Sequence, residues 1–345
     1  MSFFSLGSKD IGMDLGTSNI LITIKDKGIV LNEPAVVVLD RRTGRIVATG
    51  HEAKEMLGRT PEQIRAVRPM KEGVIADFTA TQLMIKNIII KICRRYNVGK
   101  PRVVVGVPSG ITEVEERAVQ EAVTQAGARE VFLIEEPMAA AIGAGLDVAE
   151  PNGNMVLDIG GGTTEVAVIS LGGIVISDSI KIAGDILDED IINYVKDNLN
   201  LAIGSTTAEQ VKLELGCAMP LVTKKSLEVR GRDLSSGLPE NRVITSDDVL
   251  EAMSPSIEKI VDLVKATLEK TPPELASDIV ERGITLTGGG ALIKNIDMLI
   301  SQKTEIPVYI ADRPLDCVAN GTGKTIEDMD KLRTALINAR KSKQQ

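Results

Sequence analysis

Apolar positions along the chain follow two periods. Runs of Val, Ile and Leu at residues 10–14, 20–24, 29–31 and 35–39 alternate with polar residues or run unbroken into Gly turns, which predicts an opening meander of strands. From residue 79 to 96 the spacing becomes helical, with Leu83, Ile88, Ile89 and Ile92 on one face. A buried strand is predicted at 102–107 and a helix at 113–126, where Thr112 and Glu115 stand at capping-box spacing. Strand 131–134, a turn at Glu136 and Pro137, and an Ala-rich helix complete the first part.

The opening pattern then returns. Residues 154–158 read as a strand, Gly160 to Gly162 as a turn, 165–170 as a strand, Gly172 and Gly173 as a turn, and 174–177 as a third strand. Asp14 and Asp158 begin matching units of strand, Asp-x-Gly, Thr, second strand, Gly turn and third strand. Such a repeat predicts two homologous halves, which facing each other would enclose a cleft. Helices are expected at 185–198, 207–217, 246–268 and 273–281, and strand 284–287 runs into Gly288, Gly289 and Gly290. The basic stretch after Lys331 is expected to fray.

A chain of 345 residues, 43% hydrophobic and 26% charged, fits two globular α/β halves. With four Phe, three Tyr and no Trp, the cores must be aliphatic, and little remains for stacking on bases. Forty Lys and Arg against 48 Asp and Glu give a net charge of −8, so no nucleic-acid partner is expected. Cys93, Cys217 and Cys317 form neither a CxxC pair nor an even set, which argues against a disulfide framework or zinc site and for a reducing cytoplasm. The apolar run 138–146 is short and glycine-interrupted, and the N-terminus lacks the charged and apolar regions of a signal peptide, so neither a span nor export is expected.

Gly turns at strand ends let backbone amides approach an anion, and phosphate is the natural candidate. A dinucleotide fingerprint built on Gly160 and Gly162 would need Gly where Glu165 stands. Gly323, Lys324 and Thr325 mimic the end of a P-loop, but its first glycine position holds Val318. Two facing hairpins remain, Asp14 to Asn19 and Asp158 to Glu165. Each offers amides, hydroxyls and one Asp, and two carboxylates near a triphosphate call for a cation such as Mg²⁺.

These segments resemble the superfamily of actins, sugar kinases and Hsp70 ATPases, and within it the MreB/Mbl family of bacterial actins. The resemblance rests on Asp14 to Asn19, Arg68 to Phe78, Ile134 to Ala141, Asp158 to Glu165, Thr271 to Leu275 and Leu286 to Ala291, and covers nearly the whole chain. It implies an actin-like duplicated ATPase fold: two RNase H-like halves around a nucleotide cleft, each with an inserted small subdomain. The halves would be residues 1–147 and 148–330, with a basic tail at 331–345.

By the same resemblance ATP is held at its phosphates by Thr17, Ser18, Asn19, Gly161, Gly162 and Thr163, and Asp14 and Asp158 hold Mg²⁺ through water. Glu136, helped by Thr163, would position the attacking water. Gly288, Gly289, Gly290 and Ala291 match the adenosine-side turn, and Glu209 and Lys212 match residues near ribose and base. Thr206 and Glu209 also stand at capping-box spacing, so Glu209 has a second reading as a helix cap. Ser205, Thr206 and Thr207 replace a charged residue common in relatives after Gly204. Of the adjacent Glu135 and Glu136, strand alternation lets only one face the cleft. His51, the sole histidine, suits capping or solvent better than metal ligation.

Phe3, Phe4 and Leu6, or Tyr96 and Val98, match the apolar segments by which such proteins attach to the cytoplasmic leaflet, and Lys86, Lys91, Arg94 and Arg95 would add attraction to anionic lipid. The resemblance further implies slow ATP hydrolysis, head-to-tail self-assembly into paired protofilaments, a peripheral place at the inner face of the cell membrane, and cell-wall elongation membrane proteins as partners in rod-shape control. The competing activity is a small-molecule kinase of the same superfamily, for which no sugar-recognition motif is found; an Hsp70-like chaperone would need a further substrate-binding module.

Overall fold

The computed structural model describes residues 10–329 and 331–337. Phe3, Phe4, Leu6 and residues 338–345 therefore lie outside the described residues. By their contacts the residues form two compact units: Met1–Asn152 with Ile169–Val175 and Leu315–Gln345, and Gly153–Val168 with Ile176–Pro314.

The first unit starts with β1 (Ile11–Leu15), β2 (Asn19–Ile24) and β3 (Gly28–Pro34), followed by β4 (Val37–Asp40), β5 (Ile46–Thr49) and the short α1 (His51–Glu55). Then come β6 (Ile64–Val67), β7 (Met70–Lys71), β8 (Val74–Ile75), α2 (Phe78–Tyr96), β9 (Arg102–Val107), α3 (Glu113–Gln125), β10 (Glu130–Glu135) and α4 (Glu136–Ala144). Its main sheet has the order β10-β9-β1-β2-β3, and β5-β4-β6 forms a small inserted sheet. The antiparallel β1–β2 hairpin and the parallel β1–β9 pair put Asp14 at the end of the central strand. Ile11, Met13, Ile20, Ile22, Ile85, Val103 and Leu133 fill an aliphatic core beneath α2 and α3. Thr112 and Glu115 form the expected capping box of α3.

The second unit repeats the plan. β11 (Asn154–Ile159), β12 (Thr164–Ser170) and β13 (Gly173–Ile180) precede α5 (Gly184–Leu199), β14 (Leu201–Ala202), α6 (Ser205–Leu215), β15 (Ser226–Asp233) and β16 (Pro239–Thr245). They are followed by α7 (Ser246–Lys270), α8 (Pro273–Arg282), β17 (Ile284–Thr287), α9 (Ile296–Thr304) and β18 (Val308–Ile310). The sheet order β13-β12-β11-β17-β18 matches that of the first unit strand for strand, and β14-β15-β16 is the inserted small sheet. Leu157, Val166, Leu187, Val211, Ile257 and Leu286 belong to its core.

Several placements differ from the sequence expectation, among them residues 148–152 and 169–175, which group with the first unit. Residues 315–330, which the resemblance assigns to the second half, belong by their contacts to the first unit. The reason is α10 (Cys317–Glu327), whose Cys317 and Gly321 backbones touch Gly143 and Ala139 of α4 so closely that a Cβ on Gly143 would meet the Cys317 carbonyl oxygen, and one on Gly321 that of Ala139. The chain after Lys331 does not fray at once: Ala335, Leu336 and Ile337 are buried, and Leu336 bridges antiparallel to Ile134 of β10. Burying these three aliphatic residues outweighs the local excess of basic side chains.

Candidate functional site

In the first unit the Asp14–Asn19 turn closes the β1–β2 hairpin. A Cβ on Gly16 would stand 2.8 Å from the Asn19 carbonyl oxygen, so the tight turn requires glycine. Buried Thr17 accepts a hydrogen bond from the Gly73 amide at 3.1 Å, which pins the turn to the β7–β8 loop and leaves the hydroxyl its own proton to donate. The Ser18 carbonyl is held by the Ala35 amide at 2.9 Å. Asp14 pairs in register with Gly106 of β9. A Cβ on Gly106 would stand 3.1 Å from the Val318 Cγ1 of α10, so this glycine lets β9 pack closely against that helix, with the Glu136 Cγ at ordinary contact distance, 3.6 Å, from the same point.

Glu135 and Glu136 are not two strand residues, as alternation assumed. Glu135 ends β10 and accepts from the Ser109 hydroxyl at 3.1 Å, whereas Glu136 is the first residue of α4, with Pro137 in the first turn. The strand-to-helix junction separates the two carboxylates, and Pro137 fits because that position has no intrahelical N–H partner to lose.

In the second unit the matching strand end is more elaborate. Asp158, 5% exposed, pairs in register with Thr287 and accepts its hydroxyl at 2.6 Å. Burial pushes the Asp158 carboxyl up to about 6, while the Thr287 bond pulls the other way. Replacing Thr287 with Val should raise that pKa further and destabilise the fold by about 1 kcal/mol, by removing a buried hydrogen bond. Thermal unfolding is the check: an unchanged midpoint would show that Asp158 does not depend on this hydroxyl.

The turn after Asp158 is held from behind. The Gly160 amide donates to the Thr163 carbonyl at 3.0 Å, and the first residues of α5 reach back, Gly184 N–H to Gly160 O at 3.1 Å and Asp185 N–H to Gly161 O at 2.8 Å. Thr164 donates to the Ile182 carbonyl at 2.6 Å. Gly288, at φ 78°, lies against the same strand end: a Cβ there would meet the Ile159 carbonyl and stand 3.0 Å from an Asp158 oxygen. Asp158, Gly161, Gly162, Thr163, Gly288, Gly289 and Gly290 thus gather at one end of this sheet. Ala291 is fully buried, so its side chain serves the core.

Lys212 of α6 reaches the Gly184 carbonyl at 2.6 Å and pairs with Asp188 of α5 at 2.8 Å. Burial raises Asp188 to about 6, against the pull of Lys212. The Thr206–Glu209 capping box does not form: α6 begins at Ser205 with Gly204 as its cap, which places Thr206 inside the helix. The P-loop mimic is excluded by position, since Gly323, Lys324 and Thr325 lie within α10 and Lys324 donates to the Ile142 carbonyl at 3.0 Å.

Val98, matched to the lipid-attaching segment by resemblance, is 7% exposed and packs in the first unit's core. Tyr96 is partly buried, with Lys27 5.0 Å and Arg95 5.6 Å from its ring centroid. The exposed residues on this side are Lys86, Ile90, Lys91, Arg94 and Arg95 of α2, and Lys91 pairs with Glu33 at 2.6 Å.

Among the described residues no group of three or more His, Cys, Asp or Glu is arranged to hold a metal directly, and no helix is long and apolar enough to cross a membrane. A hydrated Mg²⁺ fits this donor set, because it keeps most of its waters and needs few carboxylates. A nearby cation would favour ionised Asp158 against the burial that opposes it.

Residues 8–334 match the family model described as MreB/Mbl protein. The chain is 54% identical over 333 residues to the cell shape-determining protein MreB of Escherichia coli, covering 95% of this chain and 96% of that protein. It is 50% identical over 325 residues to the cell shape-determining protein Mbl of Bacillus cereus, covering 94% and 98%. The crystal structure of MreB5 of Spiroplasma citri bound to ADP superposes with a TM-score of 0.89 at 40% identity, over 94% of this chain and 97% of that one. The same protein bound to AMPPNP gives 0.88. With this fold, the twin hairpins and matches over nearly its whole length, the chain belongs to the MreB/Mbl family of actin-like, cell shape-determining proteins.

Proposed function

We propose that the chain binds ATP with Mg²⁺, hydrolyses it slowly, and polymerises head-to-tail into paired filaments at the inner face of the cytoplasmic membrane, where it works with cell-wall elongation membrane proteins. The observation that carries this reading is the duplicated hairpin: Asp14 to Asn19 on β1–β2 and Asp158 to Thr163 on β11–β12, each at the end of the central strand of an identically ordered sheet. Thr17, Ser18, Asn19, Gly161, Gly162 and Thr163 are assigned to the phosphates, and Gly288, Gly289 and Gly290 to the adenosine side. The MreB5 complexes with ADP and AMPPNP support a nucleotide as ligand.

Glu136, with Thr163, is assigned to orienting the water that attacks the γ-phosphate; positioning and charge neutralisation supply most of the acceleration in such transfers. Asp14 and Asp158 would hold Mg²⁺ through water, and the bound cation would offset negative charge on the phosphates. Attachment to lipid is assigned to Phe3, Phe4 and Leu6, helped by the basic side chains of α2; each near the surface contributes on the order of 1 kcal/mol. Such weak anchors gain strength when repeated along a filament.

Electron microscopy and pelleting on anionic lipid, with and without ATP and Mg²⁺, test the reading. Paired filaments on lipid are expected, and fewer after Phe3 and Phe4 are changed to Ser. A protein that stayed monomeric throughout and phosphorylated a small hydroxylated substrate would be a kinase instead.

A further inference from the structure

The loop between β12 and β13 has two residues, Leu171 and Gly172, and both take positive φ, 51° and 73°, as a type I′ hairpin turn requires. Asn, Asp and Gly suit the first of these positions, whereas a leucine there crowds its Cβ against the backbone. Among the described residues the other non-glycine residues with positive φ are Asn, Asp, Glu or Arg, so Leu171 stands apart as an aliphatic one. It gains little burial in return, being 69% exposed. The turn is nevertheless held in place. The Leu171 amide donates to the Glu150 carbonyl at 3.0 Å and the Gly172 amide to the Val148 carbonyl at 2.6 Å. Thr334 closes in on Gly172, where an added Cβ would stand 2.9 Å from the threonine hydroxyl oxygen. The backbone of the tip is thus fixed while its leucine stays in solvent, and strain of this kind at an exposed, well-supported turn points to a use outside the fold.

We propose that Leu171 is a contact residue through which this chain seats on a second copy of itself; this rests on the head-to-tail reading above and deepens it. β12 runs from Thr164, next to the Asp158–Thr163 turn, to Ser170, so Leu171 lies at the end of that strand away from the nucleotide turn. The inserted sheet β14-β15-β16 is reached instead through α5, which starts on the Gly160 turn. Val243 of β16 and Leu238, just before that strand, are exposed aliphatic residues there, and Val47 of β5 is exposed on the other inserted sheet. An apolar tip in one place and exposed aliphatic residues in others allow a heterologous contact, which repeats from copy to copy without closing. A pinned backbone suits such a contact, because a loop already ordered loses little freedom on association.

The test uses the whole chain with ATP and Mg²⁺ and measures the protein concentration needed for assembly, by light scattering in solution and by pelleting on phosphatidylglycerol vesicles, alongside thermal unfolding. Leu171→Asn, which tolerates the positive φ, should leave the unfolding midpoint unchanged or higher and raise that concentration about tenfold, the scale of one leucine side chain left unburied. Leu171→Met, which keeps an apolar side chain of similar volume, should assemble within about twofold of the unsubstituted chain. Assembly of Leu171→Asn at the concentration the unsubstituted chain needs would overturn the proposal. A lower midpoint would overturn it in favour of a packing role within the fold, and normal assembly in solution with loss of vesicle binding would overturn it in favour of lipid as the occupant. An unsubstituted chain that fails to assemble under every condition would instead remove the filament reading beneath it, and shows before any variant is compared.

Discussion

Changing Glu136 to Gln is expected to lower ATP turnover by about 100-fold while leaving ATP affinity within about twofold. Glu136 opens α4 directly after β10. Gln keeps the size and one acceptor oxygen of the side chain but removes the charge that would polarise a water. An interaction made mainly in the transition state affects turnover and spares binding, so the two readings should separate. Phosphate release and fluorescent-nucleotide titration on the same preparation check this. Equal turnover in the variant would show that Glu136 does not orient the water. A parallel loss of affinity would make it a ligand of the ground state.

The second large effect concerns the helix that carries Glu136. Gly321→Ala would be harmless by helix propensity alone, since Ala favours a helix by about 1 kcal/mol over Gly. Here the added methyl meets the backbone carbonyl of Ala139 on α4, and backbone cannot turn aside as a flexible side chain can. Overpacking of this kind costs about 3 kcal/mol, which exceeds the propensity gain. We expect the unfolding midpoint of Gly321→Ala to fall by several degrees, and that of Gly143→Ala, which meets the Cys317 carbonyl, to fall with it. Turnover should fall too at temperatures where the variant remains folded, because α4 would be displaced. A midpoint equal to that of the unsubstituted chain would show that α4 and α10 part without cost.

Much of this was legible along the chain, for local reasons. The β1–β2 and β11–β12 hairpins announce themselves because apolar alternation stops at Asp-x-Gly, and the Thr112–Glu115 cap forms because its helix starts where the spacing says. The same spacing at Thr206 and Glu209 misleads: Gly204 adopts the cap conformation and α6 begins at Ser205. A cap depends on where the first helical dihedral falls, which spacing does not encode. The pairing of Asp158 with Thr287 and of Asp14 with Gly106 was hidden, because parallel register between distant strands is a tertiary fact. So was the hold of Lys212 on α5. Strands β14, β15 and β16 escaped notice because β15 buries only two of its eight residues, giving weak alternation. In α10, Gly321 and Gly323 suggest a loop but mark a helix packed against backbone.

The bridge between Leu336 and Ile134 bears on how this sheet is kept from pairing with other molecules. β10 is the last strand of its sheet, and a bare sheet border is a template on which another molecule's strand can add itself. By laying Leu336 along that border and sinking Ile337 beside it, the molecule uses its own C-terminal segment as a guard rail. An appended fluorescent protein or affinity handle pulling on this segment would tug at the border strand that leads straight into Glu136. Residues that look like a dispensable tail are thus part of the wall of the house, and the safer place to join a label is elsewhere.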